Sequence, residues 1–330
     1  MQKKAKILIT GIGSSNALTF LCGLRKEKRK SFQICGADIY ERDFCAGAQF
    51  CDKFFRVPAC NKPSFIGVLL GICRRNAIDV LVPMLDEEML LISGQHKDFL
   101  ECGTRVLLPE EEIIKTCLNK LKLYGFLGRN GFPVPRIYTS DQVPQSFPVI
   151  QKPVIGRGSH DITIIHDRQE FKKARGKTGY LIQKYIEGRE FTVDTLSNLN
   201  GKTLAAVPRL RLEIRDGKSI KAQTVRHKAI EGLAREICNA LKMTGPACLQ
   251  CRLGRNNRPY FFDVNPRIGS ASILTIEAGV NIPLLAVQNI LGRNIDKAPA
   301  KFMANVVMLR YWGNIFTYPK RQMDMSGGIA

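Results

Sequence analysis

The stretch "YFFDVNPRIGS", Tyr260 to Ser270, places an acid, an amide and an arginine within five residues, directly after a run of aromatic residues. Side chains of a strand alternate between its two faces, so Asp263 and Asn265 are expected to project together, with Phe262 and Val264 pointing the other way. Pro266 ends such a strand because it has no N–H to give to the ladder. A carboxylate and an amide oxygen on one face, followed by a cation at the strand end, suit a hard metal ion bound to phosphate. An ordinary strand leaving the core through a polar turn would show the same residues, so the stretch has to be read with the rest of the chain.

A second stretch, "FPVIQKPVIGRGSHDITII" from Phe147, reads as a strand, a glycine-rich loop and a returning strand. Gly156, Gly158 and Ser159 let backbone approach an anion closely, and Lys152 on the first strand supplies a point charge to the same phosphate. The loop sits in a hairpin, unlike a Walker A loop, which needs Gly-Lys-Ser/Thr opening a helix. Further on, "YLIQKYIEGREFTVDTLSN" gives a strand, a turn at Gly188 and a strand with Glu190, Thr192 and Asp194 on one face. The helix "AIEGLAREICNALKM" follows, then a strand carrying Gln250.

Ahead of Asn119 the texture differs. Short apolar strands ("KILIT", "FQICGADIY", "IDVLVPM", "TRVLLP") alternate with amphipathic helical segments, which implies parallel strands with helical crossovers in a Rossmann-like arrangement. Its glycine turn, "GIGSSN", has Asn16 where the dinucleotide fingerprint has a third glycine. Asp38 ends the second strand as a ribose-binding acid would, which keeps a nicotinamide-dependent oxidoreductase among the rivals.

The chain has 330 residues, a length for about two domains, and a formal charge of +21. That charge is compatible with nucleic acid, a membrane surface or anionic substrates such as nucleotides. The basic residues are spread along the chain, with one local cluster, "LRKEKRKS". No apolar run approaches the roughly 20 residues of a membrane span, and the N-terminus shows no signal-peptide pattern, so a cytoplasmic protein is expected. Eleven cysteines at irregular spacing argue for reduced thiols. Cys248 and Cys251 have the spacing of a metal pair, but on a strand they face opposite ways and no second pair exists.

The order lysine and glycine loop, hinge strand, glutamine strand, Asp-x-Asn-Pro-Arg resembles the ATP-grasp superfamily. The closest likeness is to the branch of the carbamoyl-phosphate synthase large subunit and the pyrrolysine-biosynthesis ligase. It rests on "FPVIQKPVIGRGS", "LIQKYIEGREFTVD", "ALKMTGPACLQCRL" and "YFFDVNPRIGSASILTIEAGVNIPLLAVQNILG". The resemblance implies an α/β chain: a Rossmann-like pre-ATP-grasp domain over residues 1–118, then an ATP-grasp domain over 119–320 with a lid-like subdomain at about 130–185. Residues 321–330 read as a flexible tail.

The resemblance also implies roles. Gln250, Asp263 and Asn265 hold magnesium, or manganese in its place, against ATP; Asp263 stands where glutamate is usual. Arg267 lies beside the transferred phosphate. Lys152 and Lys120 reach the nucleotide phosphates, with Gly156, Gly158 and Ser159 in the closing loop, where Asp161 replaces a common glycine. Gln183, Tyr185 and Ile186 receive adenine through backbone groups, and Glu190 binds ribose hydroxyls, although Lys184 stands where an acid is often found. Between these, alternation puts Arg209, Arg211 and Glu213 on one strand face, suited to grip a substrate carboxylate. Surface cations would give the same pattern, and both readings stay open, as does His227 as base or solvated side chain.

The expected activity is ATP-dependent carboxylate–amine ligation through an acyl phosphate, on small carboxylates and amines such as amino acids. A homodimer is common among such proteins; membrane and nucleic-acid partners are not expected. A carboxylating or carbamoyl-phosphate-forming relative, or a silent basic binding protein, are the alternatives.

Overall fold

A computed structural model describes residues 4–27, 31–139, 142–156, 161–297 and 301–319. Gly158, Ser159 and the expected tail at 321–330 lie outside the described residues.

The first sheet comprises β1 (Ala5–Ile9), β2 (Phe32–Asp38), β3 (Lys53–Arg56), β4 (Val80–Val82) and β5 (Arg105–Val106), in the order β3-β2-β1-β4-β5 with every pairing parallel. Both its faces are buried. Ile7, Ile9, Ile34, Val80 and Val82 enter one apolar cluster, while Leu8, Cys35, Leu81 and Val106 enter another. This is why its strands read as unbroken apolar runs and not as alternation. The first cluster continues into Ile268, Val280 and Val287 of the second half, so the two halves share one core.

A four-stranded antiparallel sheet follows, built from β6 (Ile137–Tyr138), β7 (Val149–Pro153), β8 (Thr163–Ile165) and β9 (Tyr180–Lys184) in the order β6-β9-β7-β8. Asp161, in the loop before β8, has φ 56, the left-handed region that glycine enters most easily and aspartate tolerates.

The third sheet carries the chemistry-bearing strands. It holds β10 (Arg189–Ser197), β11 (Thr203–Arg215), β12 (Lys218–Thr224), β13 (Gly245–Leu253), β14 (Pro259–Asn265) and β15 (Val307–Leu309), ordered β14-β13-β10-β11-β12-β15 and antiparallel throughout. One face packs on the helices Lys120–Arg129 and Lys228–Ala240 through Leu123, Leu127, Ile230 and Ile237. β9 passes into β10 through Gly188, at φ 139, where a Cβ would lie 1.9 Å from the Leu253 carbonyl oxygen. The turn therefore needs glycine.

Glu88, buried in the first half, hydrogen-bonds the Thr10 hydroxyl. Burial, helped by the charges of Asp38 and Glu87 and opposed by the Thr10 bond, raises its carboxyl from the ordinary 4.5 to about 7. Folding thus favours the protonated form, a contribution present below about 4.5 and lost as pH rises through 7. Glu88→Gln keeps the shape without the charge. Relative to wild type its melting temperature is expected to be near-equal at pH 5 and higher at pH 8, by up to about 3 kcal/mol of stability. A difference independent of pH in a thermal-melt series would refute this.

Candidate functional site

β13 and β14 bring the three expected metal ligands together. Gln250 stands opposite Asp263, and Cys248 opposite Asn265. Asn265 Nδ2 donates to Asp263 Oδ2 at 2.9 Å and lies 3.4 Å from the Cys248 carbonyl oxygen. The register shifts between Gln250 and Cys251, so Phe262 is the unpaired residue of a bulge. Simple alternation thus fails at Phe262. Its ring does not stay on the opposite face from the site: it lies 5.2 Å from the Lys152 ammonium. Val264 is in the core as expected.

Lys152 is 5% exposed and donates to the Tyr124 hydroxyl at 2.7 Å, with its charge also over the Tyr124 ring. Burial lowers its ammonium from 10.5 to about 7, with Lys120 acting in the same direction and Asp263 and Glu190 opposing. Tyr124 in turn reaches Gln183 Oε1 at 2.8 Å and the Phe262 carbonyl oxygen at 3.0 Å. Lys120 Nζ donates to the Gly156 carbonyl at 3.0 Å. Asn119, where the resemblance has aspartate, caps that helix by accepting from Leu121 and Lys122 N–H at 3.1 Å. Tyr124 was missed in the sequence. One turn beyond Lys120 on the same helix face, it could have been found by the i, i+4 spacing.

Arg267 makes a bidentate pair with Asp86, at 2.6 and 3.1 Å, from the first turn of the helix Asp86–Ser93. Its Nη2 lies 3.4 Å from Asn265 Oδ1 and its Nη1 3.4 Å from the Ile268 carbonyl. Asp86 was also missed, although an acid just past the carboxyl end of a parallel strand is a recognised position for site residues. Thr19 of the helix Ser15–Arg25 donates to the Ser270 carbonyl at 2.9 Å, further holding this loop on the first half.

The two strand arginines take different partners from those expected. Arg209, 1% exposed, is locked by two bonds of 2.7 and 2.8 Å to Asp194, a core residue that also accepts from Ser272 and Thr275. Its Nε and Nη2 are both taken by Asp194, so the two-pronged edge expected to grip a substrate carboxylate is already filled by the protein itself. Arg211 binds Glu190 at 2.5 Å, Ser219 and the Gly217 carbonyl. A register shift after Arg211 turns Glu213 away to Arg215 and Lys221. Neither arginine is a surface cation.

Glu190 is taken by Arg211 and by Arg252, at 2.9 and 3.2 Å. A ribose hydroxyl would have to share it. Arg252 lies over the Tyr185 ring at 4.7 Å and donates to the Ile186 carbonyl at 3.3 Å, bracing the hinge segment. Gln183 spends its side chain on Tyr124 and its backbone pairs with Ile137 and Ile150. Lys184 is exposed. His227 caps the helix Lys228–Ala240, its Nδ1 accepting from Ile230 N–H at 3.4 Å, and Arg226 packs on Phe302.

A cavity of about 800 Å³ is bordered by Gln250, Asp263, Asn265 and Arg267 on one side and by Gly13, Ser15 and Leu85 of the first half on the other. A second opening, bordered by Lys120, Gly156, Asp263 and Asn265, adjoins it at the two shared residues. The donor set of one carboxylate and two amide oxygens suits magnesium, which takes few protein oxygens and completes its shell with phosphate and water. No cluster of three or more His, Cys, Asp or Glu suited to a metal occurs among the described residues, and Cys248 and Cys251 are buried free thiols.

Asp38 accepts from Gly13 N–H at 2.8 Å, closing the glycine turn on itself. Gly47 packs so closely over that turn that a Cβ would lie 2.0 Å from the Ile12 carbonyl oxygen. Both features count against a dinucleotide there.

A family model described as ATP-grasp in the biosynthetic pathway with Ter operon matches residues 177–310, and one for the PylC-like N-terminal domain matches residues 7–107. Curated protein sequences give no significant match. Among solved structures, pyruvate carboxylase T882A of Rhizobium etli superposes with TM-score 0.73 at 15% identity, covering 92% of this chain but only 30% of that one. Biotin carboxylase from Campylobacter jejuni gives 0.72 at 16% identity, covering 92% and 74%. The L-amino acid ligase from Bacillus licheniformis gives 0.69 at 19% identity, covering 88% and 75%. No described helix is long and apolar enough to cross a membrane. The chain thus carries a PylC-like N-terminal domain followed by an ATP-grasp domain.

Proposed function

We propose that this protein is an ATP-dependent carboxylate–amine ligase. The observation that carries the reading is the meeting of Gln250, Asp263, Asn265 and Arg267 at one cavity wall, with Lys120 and Lys152 beside it. In the proposed reaction a carboxylate oxygen of the substrate takes the γ-phosphoryl group of ATP, giving an acyl phosphate and ADP. The amine lone pair then attacks the acyl carbon, the C–O bond to phosphate breaks, and one amine proton is lost to solvent.

Two anions meet in the first step, so charge neutralisation is the main contribution required. Lys120 and Lys152 bind phosphate oxygens, and Tyr124 holds the Lys152 ammonium in place. Gln250, Asp263 and Asn265 would hold magnesium, which would supply positive charge to the ATP phosphates. Arg267 is oriented by Asp86, leaving Nη1, with its long contact to Ile268, as the edge open to an oxyanion. Tyr185 and Ile186 border the adenine position, the hinge being braced by Arg252. Acceptor and donor are small molecules, amino acids being the first class to try; a cytoplasmic setting and a homodimer belong to the same reading.

The test is phosphate release from MgATP with carboxylates, including bicarbonate, and amines supplied singly and in pairs. Release that needs one carboxylate and one amine together, and falls at least about a hundredfold in Lys152→Met, is the expected result. Release with bicarbonate alone would indicate carboxylating or carbamoyl-phosphate chemistry. Silence across the panel, with salt-sensitive binding to DNA or RNA, would favour a basic binding protein.

A further inference from the structure

After β15 the segment Arg310–Pro319 runs without regular secondary structure from the ATP-grasp sheet to the N-terminal domain. It is pinned at both ends. The Arg310 amide donates to the Ile220 carbonyl and its Nη2 to the Ser270 carbonyl, both at 2.9 Å, while the Thr317 hydroxyl donates to the Asp43 carbonyl at 2.7 Å. Between the pins, Trp312 and Gly313 border the cavity that also holds Asp263, Asn265 and Arg267. Trp312 is the single tryptophan of the chain and is 89% exposed. Leu18, Ala46 and Leu85 add apolar surface from the N-terminal domain.

The arginines on the cavity wall are already neutralised, Arg209 by Asp194, Arg211 by Glu190 and Arg267 by Asp86. Asp216 and Lys218, one charge of each sign, also line the cavity, while Leu18, Ala46, Leu85 and Ala271 give it an apolar surface that includes Trp312. An exposed indole beside such a wall gains from being covered by another apolar group.

We propose that Trp312 determines substrate specificity: the cavity takes a carboxylic or amino acid with an aromatic or large aliphatic side chain, which covers the indole while its carboxylate lies toward Nη1 of Arg267. This rests on the ligase reading for the fate of the carboxylate, but the contact with Trp312 is measurable without turnover.

The lone tryptophan makes its own fluorescence the probe. The full chain is titrated, with MgADP present, with glycine, alanine, leucine, phenylalanine and the matching side-chain carboxylic acids. A saturable blue shift with the leucine and phenylalanine series, absent with glycine, is expected. In turnover, Trp312→Ala should lower the phenylalanine-to-glycine ratio of kcat/KM about tenfold, with Trp312→Phe restoring most of it. Turnover with no fluorescence response, and an unchanged ratio in Trp312→Ala, would overturn the proposal and leave the ligase reading standing. A saturable shift without phosphate release would uphold the Trp312 contact and sink the ligase reading. A blue shift that follows protein concentration alone, with dimers in sedimentation, would give the indole to a second copy and overturn the proposal.

Discussion

Asp263→Ala is expected to lower substrate-dependent phosphate release by about a hundred- to a thousandfold, the usual loss when a preorganised charge is removed from a phosphoryl-transfer site. Two effects combine. Asp263 is the only carboxylate of the three oxygen donors, so the alanine variant leaves two neutral amides to hold a divalent cation. Its charge also supports the ammonium of Lys152, which burial has already lowered to about 7. Without it Lys152 is neutral over more of the working pH range, and the phosphates lose a second positive group. Asp263→Glu, which restores the residue usual in proteins that this one resembles, is expected to recover most of the activity if the longer side chain is accommodated beside Asn265. Alanine activity within tenfold of wild type would remove Asp263 from the metal site.

The second large effect concerns stability. Asp194 and Arg209 are both 1% exposed and meet by two bonds across β10 and β11, while Ser272 and Thr275 bind the same carboxylate. Asp194→Ala would leave a buried guanidinium uncompensated, at a cost of about 3–5 kcal/mol. Replacing both residues by apolar side chains of similar volume removes the lone charge and is expected to cost much less than the sum of the single changes. Urea unfolding of the two single variants and the double variant checks this. Single losses below about 1 kcal/mol would show that the pair is not the buried anchor that its geometry describes.

Arg209 shows where the sequence stops being legible. On a strand, Arg-x-Arg looks like a pair of cations offered to a substrate, and nothing local reveals that Asp194 lies on the adjacent strand ready to fill the first fork. Arg211 is matched to Glu190 by the same pairing. Asp86 meets Arg267 across 181 residues of sequence, a contact that no periodicity carries. The parallel sheet of the first half was legible because its strands are short apolar runs with helical crossovers, and the pairing of Asp263 with Asn265 because a strand's period of two put them on one face, whereas Gln250 on the neighbouring strand came with the resemblance alone. That period broke at Phe262, where one extra residue in β14 turns an aromatic ring toward Lys152.

The central claim is that ATP activates a carboxylate as its acyl phosphate, and the most direct test follows one oxygen atom. A carboxylate substrate labelled with oxygen-18 in both carboxyl oxygens is turned over with MgATP and its amine partner, and the released phosphate is examined by mass spectrometry. The account predicts one labelled oxygen in each inorganic phosphate formed, because the carboxylate oxygen that attacks the γ-phosphorus leaves with it. Phosphate without label, or label found in AMP, would contradict it.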